Sequence, residues 1–171
     1  MRLRILGLLI FSMLLALLAG GCGEDAETDM TLGASEVPDP CELVTKSDIE
    51  AIMGEPFGDP SRSEEEGKKS CSYTSVAQPP RVADIQIIKP CSMVDYSNYA
   101  ASDDSEPVHA IGMHANWNKK TKMLSVHTYA SACLFVSGGG NPRGADPADD
   151  QPAIANARKV GDLIIEKMGP E

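Results

Sequence analysis

Basic residues are in short supply in this chain of 171 residues: 15 Lys and Arg stand against 25 Asp and Glu, a net charge of −10. That balance excludes nucleic acid as a partner, because phosphates demand a basic face. It argues equally against electrostatic docking to anionic lipid, and the acidity mainly serves solubility without selecting a partner. Motifs that carry chemistry are missing too. No C-x-x-C spacing occurs, so neither a thiol redox site nor a paired-cysteine metal site is expected. The glycine run has no G-x-G-x-x-G or P-loop form to cradle a phosphate. Neither G-x-S-x-G nor S-x-x-K is present, and Ser137-Gly138-Gly139-Gly140 carries nothing that would make Ser137 reactive. Asp146, Asp149 and Asp150 resemble part of a calcium loop without its full pattern, so capping by one and solvation of the others is expected. Hence no metal, no cofactor and no catalytic set are expected.

What the chain does have is an export signal. Arg2 and Arg4 precede an apolar run from Ile5 to Leu18, and Ala19, Gly20 and Gly21 lead into Cys22. The run is shorter than the roughly 20 apolar residues a membrane span needs. Its end reads as a lipoprotein cleavage site, although Ala19 stands where leucine is preferred. Residues 1–21 are therefore expected as a lipoprotein signal peptide and Cys22 as the lipidated first residue of the mature protein. Residues 22–39 are acidic and small, with Glu24, Asp25, Glu27, Asp29, Glu36 and Asp39 and no base, and read as a flexible tether. Residues 40–171 then form a single domain, large enough to bury its own core.

With Cys22 assigned to lipid, Cys41, Cys71, Cys91 and Cys133 remain, an even number in an oxidising compartment. Three pairings are possible. Joining chain neighbours, Cys41 with Cys71 and Cys91 with Cys133, is favoured because each link would tie a helix end to a strand. Each such loop would contribute roughly 3–4 kcal/mol in chain-entropy terms. A link between Cys41 and Cys133 would mean a different topology.

The best-specified element is a helix after Thr45. Thr45 is an N-cap, Asp48 closes a capping box, Val44 and Ile49 make a hydrophobic staple, and Gly54 with Pro56 ends it. Residues 58–70 read as a charged surface loop. Strands are expected over 71–75, 82–88, 108–117, 122–128 and 132–137, with a short helix over 92–101. The chain turns helical again from Pro152, with Ile154, Ala157, Val160, Ile164 and Met168 on one stripe. This order predicts an α+β fold: a two-layer sandwich with an antiparallel sheet of about five strands and helices packed on one face.

Candidate site residues are few. His109, His114 and His127 could do metal or acid–base work, but residues five apart on a strand point to opposite faces. His109 and His114 could meet only across a bulge, with Gly112 the candidate position for one; plain strand histidines are the expected reading. Lys119, Lys120 and Lys122 beside Trp117 read as a solvated hairpin tip. Trp117, Tyr73, Tyr96, Tyr99, Phe57 and Phe135 read as core or rim aromatics.

The stretch Asp39-Pro40-Cys41-Glu42-Leu43-Val44-Thr45, the helix ending at Gly54 and the later Cys71-Ser72-Tyr73 resemble a family of uncharacterised bacterial secreted lipoproteins. Its members open with D-P-C-x-L-L-T and reach C-x-Y some thirty residues later. The segment Val108 to Trp117 is similar to that family's v-x-g-l-G-x-x-A-x-w. Val44, where leucine is usual, and the additional Cys91 and Cys133 are departures. The resemblance implies that Cys41 pairs with Cys71 and brings no catalytic set. By fold-level analogy only, similar two-layer sandwiches occur among PsbP- and Mog1-like accessory proteins, which bind partners. The expected function is a lipid-anchored cell-envelope protein at the membrane or outer envelope, acting as a monomeric, non-catalytic binding or accessory module for an envelope protein or small ligand. The alternatives are an extracytoplasmic hydrolase using a strand histidine and a carrier of a small apolar ligand.

Overall fold

A computed structural model describes residues 36–139 and 150–169. Cys22, expected as the lipidated residue, the expected signal peptide over 1–21, and Asp146 and Asp149 lie outside the described residues. Asp39 caps a one-turn helix, α1 (Pro40–Leu43), by accepting from the Cys41 N–H at 2.8 Å. Proline at the first helical position suits that turn, since its missing donor would be unpaired anyway. Helix α2 (Lys46–Met53) follows with the full Thr45–Asp48 capping box, and Gly54 ends it in the left-handed conformation. Val44 and Ile49 are both fully buried, as a staple requires.

Seven strands come next: β1 (Ser61–Glu65), β2 (Lys68–Thr74), β3 (Val82–Ile88), β4 (Ser105–Pro107), β5 (His114–Asn118), β6 (Met123–His127) and β7 (Cys133–Ser137). Helix α3 (Met93–Ala100) separates β3 from β4, and α4 (Asp150–Met168) closes the fold. The fold is α+β with one open antiparallel sheet in the order β1-β2-β3-β7-β6-β5-β4. Seven strands replace the expected five for physical reasons. The expected loop over 58–70 is the β1–β2 hairpin, whose β1 is exposed at every position and so shows no apolar alternation. The second is β4, too short to register as a run. The expected strand over 108–117 is extended only from His114; residues 108–113 are a loop.

The two faces of the sheet differ. Ala115, Trp117, Leu124, Val126, Leu134, Val136, Ile85 and Ile87 point to the inner face and pack with Val44, Ile49 and the α4 stripe of Ala157, Val160 and Ile164. The outer face carries a second small cluster, Cys91, Tyr96, Ala100, Cys133 and Phe135, in which α3 is seated. Helices therefore pack on both faces, not one. The correction follows from the β7 strand, where all of Cys133, Leu134, Phe135 and Val136 are buried, so each face needs a cover.

Two disulfides are present. Cys41–Cys71 ties α1 to β2 and Cys91–Cys133 ties the α3 entry to β7, with Cα separations of 5.3 and 5.6 Å. They join chain neighbours. Residues 36–39 lie against the domain: Val37 packs on the core and Asp39 pairs with Arg62 at 2.7 Å. Among the described residues, no helix is long and apolar enough to cross a membrane.

Candidate functional site

On the outer face, a cleft of about 540 Å³ opens between α3 and the loop over residues 108–113. The loop wall is held from beneath at several points. The Val108 N–H donates to the Ala115 carbonyl at 2.9 Å, and the Met113 N–H donates to that of His127 at 2.8 Å. Arg158 of α4 donates to the Ala110 carbonyl at 3.1 Å. Ile111 is only 4% exposed and packs under α4 at Gly161, where an added Cβ would lie 2.9 Å from its Cδ1. Gly112 has φ 57°, and a Cβ there would fall 2.5 Å from Val126 Cγ1 and 2.7 Å from the His127 carbonyl. Only glycine lets the loop lie this close to β6.

The helix wall presents Met93, Tyr96, Ser97 and Ala100 at helical spacing. Ser92 and Asp95 form the capping box that starts α3, and Cys91–Cys133 pins it to the sheet. Tyr96 is the keystone. Its hydroxyl accepts from Asn116 Nδ2 at 2.8 Å and donates to the Ser125 carbonyl at 3.4 Å. Burial pushes this phenol above its ordinary pKa against the opposing Asn116 hydrogen bond, so it stays protonated.

All three histidines gather at this end of the sheet. His109 and His114 line the cleft together, because the loop through Gly112 removes the strand geometry that would have parted them. His114 and His127 are direct cross-strand partners, and the Tyr96 ring lies 6.5 Å from the first and 5.6 Å from the second, centroid to centroid. His127 is 6% exposed, with Nε2 3.0 Å from the Cys91 carbonyl. A carbonyl only accepts, so Nε2 donates; Nδ1 has no hydrogen-bond partner among the described residues. The His114–His127 pairing has one sequence signal: a hairpin turning at Asn118–Met123 places them opposite.

Other candidates serve structure. Ser137 Oγ donates to the Val82 carbonyl at 3.1 Å and accepts from the Asp84 N–H at 2.7 Å, joining β7 to β3. Trp117 is buried on the inner face, away from the lysine-rich turn, where Lys119 pairs with Glu106 at 2.7 Å. Tyr73, Phe57, Tyr96 and Phe135 are buried, whereas Tyr99 is exposed at one edge and meets Phe135 edge-on. Among the described residues, no three His, Cys, Asp or Glu side chains are grouped as a metal site.

Among the described residues, no Asp, Glu, Lys or Arg lines the cleft; its polar side chains are those of serine, histidine, tyrosine and asparagine. A second, more apolar cavity of about 480 Å³ lies between the β6–β7 turn and the end of α4, against Tyr129, Ala130, Ile165 and Met168. Fold and site together define a disulfide-stapled α+β domain with a cleft on its outer face. Compared with known proteins, the chain matches no family model, no curated protein and no solved structure.

Proposed function

We propose that the protein is a lipid-anchored, monomeric cell-envelope binding module that holds a partner protein or small ligand in the outer-face cleft. One observation carries this reading. The loop wall is fixed by backbone hydrogen bonds and a glycine contact, which is the preorganisation that binding rewards and that an idle surface does not need. The two disulfides support an extracytoplasmic location, and the Arg2–Cys22 signal supports attachment through lipid on Cys22. The D-P-C-x-L opening keeps the resemblance to secreted lipoproteins as part of the proposal. The inner-face helices on the sheet fit a two-layer sandwich of the PsbP or Mog1 kind, with α3 added outside it. The proposed role is binding without catalysis.

Co-purification from envelope membranes tests the binding role, with Ser97→Arg as the blocking variant. Loss of the captured partner in the variant is expected; equal capture would refute the cleft as the site. Palmitate labelling of the wild type against Cys22→Ala tests the anchor, and equal labelling would end that claim. The second cavity favours one further reading, a carrier of a small apolar ligand held against Ile165 and Met168. Native mass spectrometry detecting such a ligand, lost on Ile165→Trp, would support it.

A further inference from the structure

We infer that the outer-face cleft is a copper(I) site with mixed thioether and imidazole donors, supplied by Met93, Met113, His109 and His114. The inference rests on the preceding reading that this cleft is the ligand site, and it names the ligand. All four side chains line the same cleft, Met93 from the helix wall and the other three from the loop wall and the start of β5. Met93 and Met113 are 44% and 46% exposed, so neither is there to fill the core.

The donor chemistry selects the ion. Every described cysteine is consumed in a disulfide, which leaves thioethers as the sulfur donors of the cleft. Among the described residues no carboxylate lines it, so hard cations such as calcium and magnesium find no oxygen cage there. Soft thioethers favour copper(I), and imidazole accompanies them well. Mobility is divided sensibly between the two kinds of donor. Methionine has three rotatable bonds and can swing onto an ion, whereas the histidines stand on backbone held by the Gly112 contact and the Met113–His127 hydrogen bond. The acidic chain, at −10 overall, draws cations toward the cleft. His127 is not among the donors assigned, since its Nε2–H is committed to the Cys91 carbonyl.

The test uses the processed, membrane-extracted protein with both disulfides intact. Copper(I), kept reduced by ascorbate without oxygen, is offered in competition with the chromogenic chelator bicinchoninate. The protein is expected to withdraw one equivalent. The Met93→Leu/Met113→Leu double variant and His114→Asn should each weaken binding roughly tenfold or more, because each strips donors from a site that has few. Met53→Leu, a methionine outside the cleft, should bind as the wild type does, and near-ultraviolet circular dichroism should report an unchanged fold in all variants. Failure to take copper(I) from the chelator would overturn the assignment, as would binding that the double methionine variant leaves untouched. Equal affinity for zinc(II) would also overturn it, since imidazole alone would then be the donor. If copper binding is absent while partner capture stays sensitive to Ser97→Arg, the metal falls and the cleft stands. If both fail, the cleft falls with it.

Discussion

The inner and outer faces of the sheet are built from the same strands but answer to different demands. On the inner face, Trp117, Leu124, Val126, Leu134 and Val136 are wholly buried under a 19-residue helix, α4. On the outer face, the alternate positions of the same strands read His114, Asn116, Ser125, His127 and Phe135, beneath an eight-residue helix that a disulfide and one tyrosine hold in place. One surface is filled for stability. The other keeps a cleft, polar groups and half-exposed methionines at some cost to packing, which is how recognition sites differ from cores.

Four measurements would sharpen or break that contrast. The largest effect belongs to the inner face: Trp117→Ala should cost about 3–5 kcal/mol in urea unfolding, the usual range for emptying a buried aromatic site. An inner-face loss no larger than that of an outer-face truncation would erase the distinction. Next comes the outer-face staple. Replacing Cys91 and Cys133 together by serine should cost about 2–4 kcal/mol, with amide exchange rising chiefly over residues 92–101. Uniform exchange across the sheet would show that α3 is not a separately held element.

Gly112→Ala should cost about 1–3 kcal/mol, because its Cβ meets β6 and its φ is positive. Here the ligand readout should suffer more than stability, since the loop moves while the core remains. Smallest is the acid response of the two capping boxes. Asp95 is held below the ordinary value of 3.8 by its side-chain hydrogen bond with Ser92, and by the Ser92 backbone N–H. Asp48 is lowered chiefly by the Thr45 backbone N–H, with partial burial opposing. Both folded values lie below the unfolded ones, so their contributions are complete above the unfolded pKa and disappear as pH falls through the folded pKa. Carboxyl chemical shifts followed by NMR should titrate below 3.8 at both sites. A normal titration at Asp95 would mean that the α3 cap is not formed in solution.

Elements with local signals were legible in the chain. The α2 helix is specified locally, by Thr45, Asp48, the Val44–Ile49 staple and Gly54. β3 matches its expected span, and the α4 stripe buries Ala157, Val160 and Ile164 as helical spacing requires. The helix starts at Asp150 rather than Pro152, since proline is tolerated in a first turn. The β1–β2 hairpin was illegible because an edge strand exposed on both sides has no hydrophobic period to read. Residues 108–113 misled for the opposite reason: they are mostly apolar, but Ile111 is buried by α4 from a loop, not by strand pairing.

The candidate site was half visible. The three histidines and a bulge at Gly112 were raised as candidates from the chain, with plain strand histidines the expected reading; the cleft joining His109, His114, Met93 and Met113 was not legible, because its walls come from segments whose contact is not local. Composition and short motifs alone determined the expectations of an export signal and of disulfides, the helix caps and the α+β class, since each depends on neighbours in sequence. Strand order, the seating of α3 on the outer face and the pairing of His114 with His127 were decided by tertiary structure. These depend on which surfaces are left to bury once the inner core has closed, and that balance is struck across the whole sheet.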